Sequence, residues 1–269
     1  FVESYIDDEL ITPGFGPHAP HTVNKKDLET IRDLSEKYDV PVSMHVAETE
    51  KEFDEFIDKY GMTPVEYLDS IGLLNNRFIA AHAIFVTESD IALMKKRDIG
   101  VAHNMVANIK SAKGVSPALL MHDQGLRVGL GTDGPMSGNT LDIIGQMGYV
   151  AKLHKLENKD RSVMPPHKVV EMATLGGARA IHRETELGSL EVGKLADVVI
   201  IEVQSANMVP IYNPYSALVY SASAHNVDTV IVNGEIIVKN KVLKTYDEAK
   251  SRKMIIEFSE KVAAIAKTL

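Results

Sequence analysis

The sequence predicts an α/β protein: a parallel (β/α)8 barrel of the TIM type, incomplete at the N-terminus, followed by a small β-sandwich-like domain. Up to about residue 195, apolar runs the length of a buried strand alternate with helix-length stretches. Beyond that point strands follow one another without helices between them. Three of the runs end at His45, His82 and Asp133, and reactive residues of such barrels lie at the C-terminal ends of the strands.

The barrel is predicted over residues 1–195. Its expected strands are 10–17, 40–45, 78–82, 99–103 and 126–132. A complete barrel has eight strands, so these correspond to about strands 4 to 8. The chain also opens on Phe1 rather than on a methionine. We therefore expect that residues upstream are missing.

Helices are predicted between the strands from their apolar spacing and their caps. Asn24 is a plausible N-cap, and Thr63 with Pro64 and Glu66 has the spacing of a capping box. The stretch 104–116 is expected to be an irregular loop. The expected helices are 24–38, 50–60, 63–70, 87–97, 116–124, 139–156 and 166–181.

The small β domain is predicted over residues 196–245. Residues 197–201 and 229–232 have the composition of strands, and Asn233-Gly234 favours a hairpin turn into 235–238. Residues 246–269 have helical spacing and are predicted to form a C-terminal helix.

Composition excludes several classes of function. The 37 acidic and 29 basic residues give a formal net charge of −8, and no basic face stands out, so neither a nucleic acid nor a membrane surface is expected as a partner. The chain has no cysteine, so a metal would be held by His, Asp or Glu. A cytoplasmic location is expected, and a homo-oligomer is left open.

Each strand-end residue also has an ordinary structural explanation. A histidine flanked by apolar residues, such as His82, is usually a core residue, and Asp133 between two glycines resembles a turn aspartate. Glu48, three residues after His45, has the pattern of a solvated side chain. Two histidines and an aspartate at successive strand ends are nevertheless the raw material of a metal-dependent hydrolytic site. His103 ends a further strand, where local hydrogen bonding is the stronger explanation.

Several motifs together resemble the amidohydrolase superfamily, in its methylthioadenosine/S-adenosylhomocysteine deaminase and triazine chlorohydrolase branch. The resemblance covers nearly the whole chain. The matching segments are residues 16–20, 45–49, 81–82, 101–104, 131–134, 139–142, 173–180 and 187–197.

The resemblance implies roles for individual residues. His45 and Asp133 would be metal ligands, and Asp133 would also be catalytic. His82 would hydrogen-bond the reacting water or the substrate, Glu48 would shuttle protons to a ring nitrogen, and His18 would face the substrate. One divalent metal, zinc or alternatively iron, is implied as the cofactor.

Two departures from the family pattern carry expectations of their own. The family's His-x-His pair is absent, which leaves two matched ligands, so we expect this chain alone to hold metal weakly and to be inactive. His21, Met105 and Ala107 also stand where the family usually has Tyr, Pro and Ser, so the exact substrate stays open.

The implied activity is metal-dependent hydrolytic deamination of a small aminopurine-type heterocycle, foremost S-adenosylhomocysteine or methylthioadenosine, with release of ammonia. The alternatives are a chlorohydrolase, a deaminase of another heterocycle such as a triazine or guanine, and a non-catalytic fragment without metal. The motifs alone do not separate these alternatives.

Overall fold

The computed structural model describes residues 1–266. Eight strands are present in this part of the chain: β1 Val42–Val46, β2 Phe78–His82, β3 Gly100–His103, β4 Arg127–Leu130, β5 Val198–Ile201, β6 Val227–Val232, β7 Glu235–Lys239 and β8 Val242–Leu243. The helices are α1 Val2–Tyr5, α2 Lys25–Tyr38, α3 Glu50–Tyr60, α4 Pro64–Ser70, α5 Glu88–Lys96, α6 Met105–Lys110, α7 Ala118–Asp123, α8 Pro135–Gly138, α9 Ile143–Asn158, α10 Pro166–Ala173, α11 Leu175–Ala180, α12 Pro214–Tyr220 and α13 Glu248–Ala266, with a 3-10 turn at Ala224–Asn226.

Strands β1 to β4 form a parallel sheet in chain order, with helices in each connection. The register pairs His45 with Ala81 and His103 with Leu130, so the C-terminal ends of neighbouring strands meet at one edge. This is the βα pattern of a TIM-type fold. In residues 1–266 the parallel strands form an open four-stranded sheet, not a closed barrel.

Alternation along β1 shows how the sheet builds its core. Val42, Met44 and Val46 are buried, whereas Ser43 is exposed and His45 is half-buried. Side chains on a strand alternate between the two faces, so the buried set packs in one cluster with the helices. That cluster includes Leu28, Phe56, Leu68 and Met94 from α2 to α5. His45 therefore projects from the face opposite the helices.

The predicted strand at 10–17 is not a strand in the structure. Only Phe15 pairs with β1, through an isolated parallel bridge to Val42. Phe15 N donates to Pro41 O at 2.9 Å, and its carbonyl accepts from Ser43 N at 2.9 Å. Pro13 and Pro17 flank it and have no N–H to donate, so a longer ladder cannot form.

Three other predicted segments also differ from the structure. The expected helix 139–156 begins only at Ile143, where Asp142 caps α9. The expected loop at 104–116 contains helix α6. The expected helix 166–181 is divided at Thr174 (φ −123°, ψ −95°) into α10 and α11. Close packing explains this break, because a Cβ on Gly176 would lie 2.7 Å from the Val128 carbonyl oxygen. Gly176 and Gly177, the second and third residues of α11, thus let its backbone lie directly against β4.

The chain divides into two compact units, residues 1–189 with 210–224 and residues 190–209 with 225 onward. Residues 210–224 belong to the first unit because α12 packs on α9 and α10. The second unit contains one antiparallel sheet in the order β5-β6-β7-β8 and helix α13. The predicted hairpin is present, with Val232 opposite Glu235 and left-handed φ at Asn233 and Gly234.

A β-sandwich is not confirmed, since the described part of the second unit has a single sheet. Within residues 1–266, no helix has the length and apolar character needed to cross a membrane.

Candidate active site

Three side chains from different strand ends converge at the C-terminal edge of the parallel sheet. His45 lies on β1, His82 ends β2, and Asp133 follows β4 in the turn to α8. One potential ligand atom from each lies within 4.8 Å of the others. This spacing is small enough for a single metal ion to contact all three.

His45 is oriented by the segment that runs beside β1. Its Nδ1 lies 2.6 Å from the carbonyl oxygen of His18, so Nδ1 carries the proton and donates it. This leaves Nε2 as the unprotonated nitrogen. The exposed His18 ring lies 4.9 Å from the His45 ring, and its own Nδ1 is 2.9 Å from the Thr22 hydroxyl. The structure therefore places His18 at the site, with its carbonyl already engaged.

His82 is buried, with 1% of its surface exposed. Its Nδ1 lies 2.7 Å from Asn108 Oδ1, which fixes the proton on Nδ1. Its Nε2 has no hydrogen-bond partner in the described chain and lies 3.4 Å from Glu48 Oε1 and 3.9 Å from Asp133 Oδ2. Burial lowers the pKa of His82, although the Asn108 hydrogen bond and Glu48 oppose this.

Backbone strain marks the strand ends that carry these groups. His82 and Asp133 have φ of +71° and +60°, in the left-handed region that few non-glycine residues occupy. By strict alternation, His82 would share the face of Phe78 and Ala80. The positive φ ends that alternation at His82, whose ring centroid lies 5.3 Å from that of His45.

Glu48 is held through both its backbone and its side chain. The buried Glu52 carboxylate accepts from the backbone N–H groups of Ala47 (3.1 Å) and Glu48 (2.9 Å), while burial raises the pKa of Glu52. Lys113 Nζ forms an ion pair with Glu48 Oε1. Burial raises the pKa of Glu48, but the hydrogen bond from Lys113 and the electrostatic influence of the neighbouring His82 outweigh it, and the pKa falls below its ordinary value.

Asp133 is stabilised as a carboxylate by its own turn. Burial raises the pKa of Asp133, but the hydrogen bonds from the Gly134 N–H, at 2.9 Å, and from the Ser137 hydroxyl lower it by more. The net shift of the pKa is therefore downward. A Cβ on Gly131 would lie 2.1 Å from Asn104 Oδ1, so only glycine lets the β4 end pass this close to Asn104.

The donor set fits a divalent metal such as zinc. It consists of two imidazoles whose Nε2 atoms are left unprotonated by a hydrogen bond at Nδ1, and one carboxylate. Outer hydrogen bonds of this kind are usual for metal-binding histidines. The family resemblance implied His45 and Asp133 as ligands, whereas the geometry adds His82 to the same candidate set, so three donors are available rather than two.

Two residues near the site were missed by the sequence prediction, Asn108 and Lys113. Both belong to the stretch that was expected to be a loop: Asn108 lies in α6 and reaches His82, and Lys113 lies in the turn after α6 and reaches Glu48. A segment without predicted helical periodicity gives no basis for assigning facing side chains.

A second histidine pair lies deeper, at the end of β3. His103 Nε2 and His154 Nε2 are 3.2 Å apart, and both residues are buried. Burial and the neighbouring His154 lower the pKa of His103 to about 3. Burial, with Lys155, lowers that of His154 to about 4. Both rings are therefore neutral near pH 7.

Parallel βα units with histidine and aspartate donors at the strand ends define the class of metal-dependent hydrolases built on TIM-type folds. The amidohydrolase family profile matches residues 2–237. The chain belongs to the amidohydrolase family, and the resemblance predicted from the sequence is confirmed.

Individual relatives agree with this assignment. The chain is 36% identical, over its whole length, to a 5-methylthioadenosine/S-adenosylhomocysteine deaminase of Syntrophobacter fumaroxidans, and it spans 60% of that relative's length. It is 34% identical to a zinc-bound adenosine deaminase of Xanthomonas campestris, with a TM-score of 0.94 over 97% of this chain and 60% of that one. An atrazine chlorohydrolase of Arthrobacter aurescens, 24% identical, shares the fold with a TM-score of 0.84 over 92% of this chain and 56% of that one.

Proposed function

We propose that the protein is a metal-dependent hydrolytic deaminase of adenosine-type substrates, foremost methylthioadenosine and S-adenosylhomocysteine. The observation that carries the proposal is the convergence of His45, His82 and Asp133 beside the carboxylate of Glu48. The names of the relatives above support the choice of substrate. Zinc is the proposed metal, because the zinc-bound relative and the nitrogen and oxygen donor set both favour it.

His45 and Asp133 would hold the metal, with the unpartnered Nε2 of His82 directed at the same point. A divalent ion bound there lowers the pKa of water from about 15.7 toward ~7, which supplies hydroxide at neutral pH. Neighbouring residues fix the orientation of the two histidine rings. Asn108 holds the His82 ring, and the His18 carbonyl holds His45.

Glu48 is proposed to move the proton that the reaction needs. Attack of water on the ring carbon bearing the amino group requires protonation of the adjacent ring nitrogen. The ionised Glu48 accepts a proton from the attacking water and delivers it to that nitrogen. The remaining proton of the attacking oxygen then passes to the amino group as the carbon–oxygen double bond forms and the carbon–nitrogen bond breaks, so water and the aminopurine give the oxopurine and ammonia. The unprotonated Nε2 of His82, 3.4 Å from Glu48 Oε1, lies where it can accept a hydrogen bond from the attacking water.

The proposal is tested by measuring ammonia release by the protein expressed from its natural gene. The substrates are methylthioadenosine, S-adenosylhomocysteine and adenosine. Turnover with bound metal is expected, and Glu48→Gln should lower kcat by at least about 10²-fold with metal content unchanged, since Gln cannot carry the proton. Glu55→Gln, on the exposed side of α3, is the matched control and should retain activity.

Chlorotriazine in the same assay separates the two leaving groups. If the protein releases chloride from the chlorotriazine but no ammonia from any adenosine-type substrate, the proposed function is wrong and the protein is a chlorohydrolase. Near-normal turnover by the Glu48→Gln protein would remove Glu48 from the mechanism.

A further inference from the structure

Lys113 brings a positive charge into the candidate site that the activity proposed above does not require. Its Nζ donates to Glu48 Oε1, and the same oxygen lies 3.4 Å from His82 Nε2. The side chains of Lys113 and Glu48 are 31% and 18% exposed. Because this pair is partly buried, it is less screened than a fully exposed ion pair.

The backbone on either side holds Lys113 in place. Its N–H donates to the Asn108 carbonyl at 2.9 Å, which closes the turn after α6. Ala112 and Gly114 on either side have φ of +53° and +123°, so the chain reverses tightly here. Ser116 then donates to the Ala83 carbonyl at 2.8 Å, which ties the segment to the end of β2. The lysine stem therefore starts from a fixed point.

Glu48 has the complementary arrangement. Its backbone N–H is fixed by Glu52, but a glutamate side chain has three rotatable bonds beyond that point. The Lys113 contact fixes the far end by one carboxylate oxygen, next to His82. A carboxylate has a second oxygen, which remains a site for proton transfer.

We propose that Lys113 is a positioning residue: it holds the Glu48 carboxylate at His82, in the orientation from which Glu48 transfers the proton. The proposal rests on the proposed function for its catalytic consequence, but its geometric consequence stands independently. A displacement of about 1 Å in a reacting group is enough to cost ~10²-fold in rate. Loss of the lysine is therefore expected to affect kcat more than KM.

The test compares Lys113→Met, Lys113→Arg and Lys96→Met in the protein expressed from its natural gene. Lys96 lies on α5 and is exposed, so its variant controls for the loss of one positive charge. Lys113→Met should lower kcat about 10- to 100-fold with KM within about 3-fold and metal content unchanged. Lys113→Arg should recover most of kcat because a guanidinium can donate to the same carboxylate, and Lys96→Met should match the wild type.

Crystal structures of the wild-type and Lys113→Met proteins give a readout that does not depend on turnover. The Glu48 Oε1 to His82 Nε2 distance should stay near 3.4 Å in the wild type and lengthen, or the carboxylate lose its single orientation, in the variant. If the wild type turns over no adenosine-type substrate, the proposed function fails and this distance alone decides the role of Lys113. An unmoved Glu48, or a kcat equal to that of Lys96→Met, would overturn the proposal.

Discussion

At the scale of single residues, the candidate site is defined by which nitrogen of each histidine is already engaged. His45 and His82 each form a hydrogen bond through Nδ1, which leaves Nε2 available as a ligand atom at the candidate metal site. The sequence predicted that His45, His82 and Asp133 lie at strand ends, because apolar runs stop at these residues. The sequence did not predict the partners of these rings. Asn108 and the His18 carbonyl reach them through tertiary contacts that have no spacing signature in the chain.

The buried pair His103 and His154 makes stability sensitive to acid. With a pKa near 4, native His154 stays neutral at a pH where the unfolded chain, with a pKa of about 6.5, is protonated. The unfolded state then binds more protons, so stability is constant above about pH 6.5 and falls as the pH drops toward 4. For His154 alone the loss by pH 5 is about 2 kcal/mol.

Urea unfolding at pH 7.5, 6 and 5 measures this dependence. His154→Gln should lose about 2 kcal/mol less than the wild type between pH 7.5 and 5, because Gln does not titrate. The exposed His225→Gln should keep the wild-type slope. Equal slopes in all three proteins would show that His154 is not held neutral.

At the scale of elements, the parallel βα pattern was predictable because buried strands and amphipathic helices have different periods. The capping box predicted at Thr63 is present and begins α4, and the structure has a second one at Thr87, which begins α5. The failures have local causes: prolines prevent a ladder at 10–17, and glycine-mediated contact divides the predicted helix 166–181. Helix α6 has only six residues, too few for an apolar period to show in the sequence.

Close contact between α11 and the sheet is expected to be sensitive to a single methyl group. A Cβ on Gly100, at the start of β3, would lie 1.8 Å from the Ala180 carbonyl oxygen. Gly100→Ala should therefore destabilise the protein by about 1–3 kcal/mol, because the backbone of α11 must move. Gly16, with nothing within 4 Å of its Cβ position, is the matched control.

Thermal and urea unfolding of the two variants measure the difference. Gly16→Ala should change stability by less than about 1 kcal/mol. A Gly100→Ala protein as stable as Gly16→Ala would show that α11 does not pack against β3 as described.

At the scale of the whole molecule, the candidate site residues lie together at the C-terminal edge of the parallel sheet. Residues that are far apart in the chain, from His45 to Asp133, meet there only because consecutive strands pair in parallel. The sequence predicted this convergence from topology. It assigned two metal ligands by resemblance, and the third donor came from the geometry of the β2 end.

The central claim is that His45 and Asp133 hold one metal ion beside Glu48, at the point toward which His82 Nε2 is also directed. Crystals of the protein expressed from its natural gene, grown with zinc and measured on both sides of the zinc absorption edge, test it most directly. The account predicts one anomalous peak at this edge of the sheet, with His45 Nε2 and Asp133 about 2.0–2.2 Å away and Glu48 outside bonding distance. A zinc peak elsewhere, with no density between His45 and Asp133, would contradict the account.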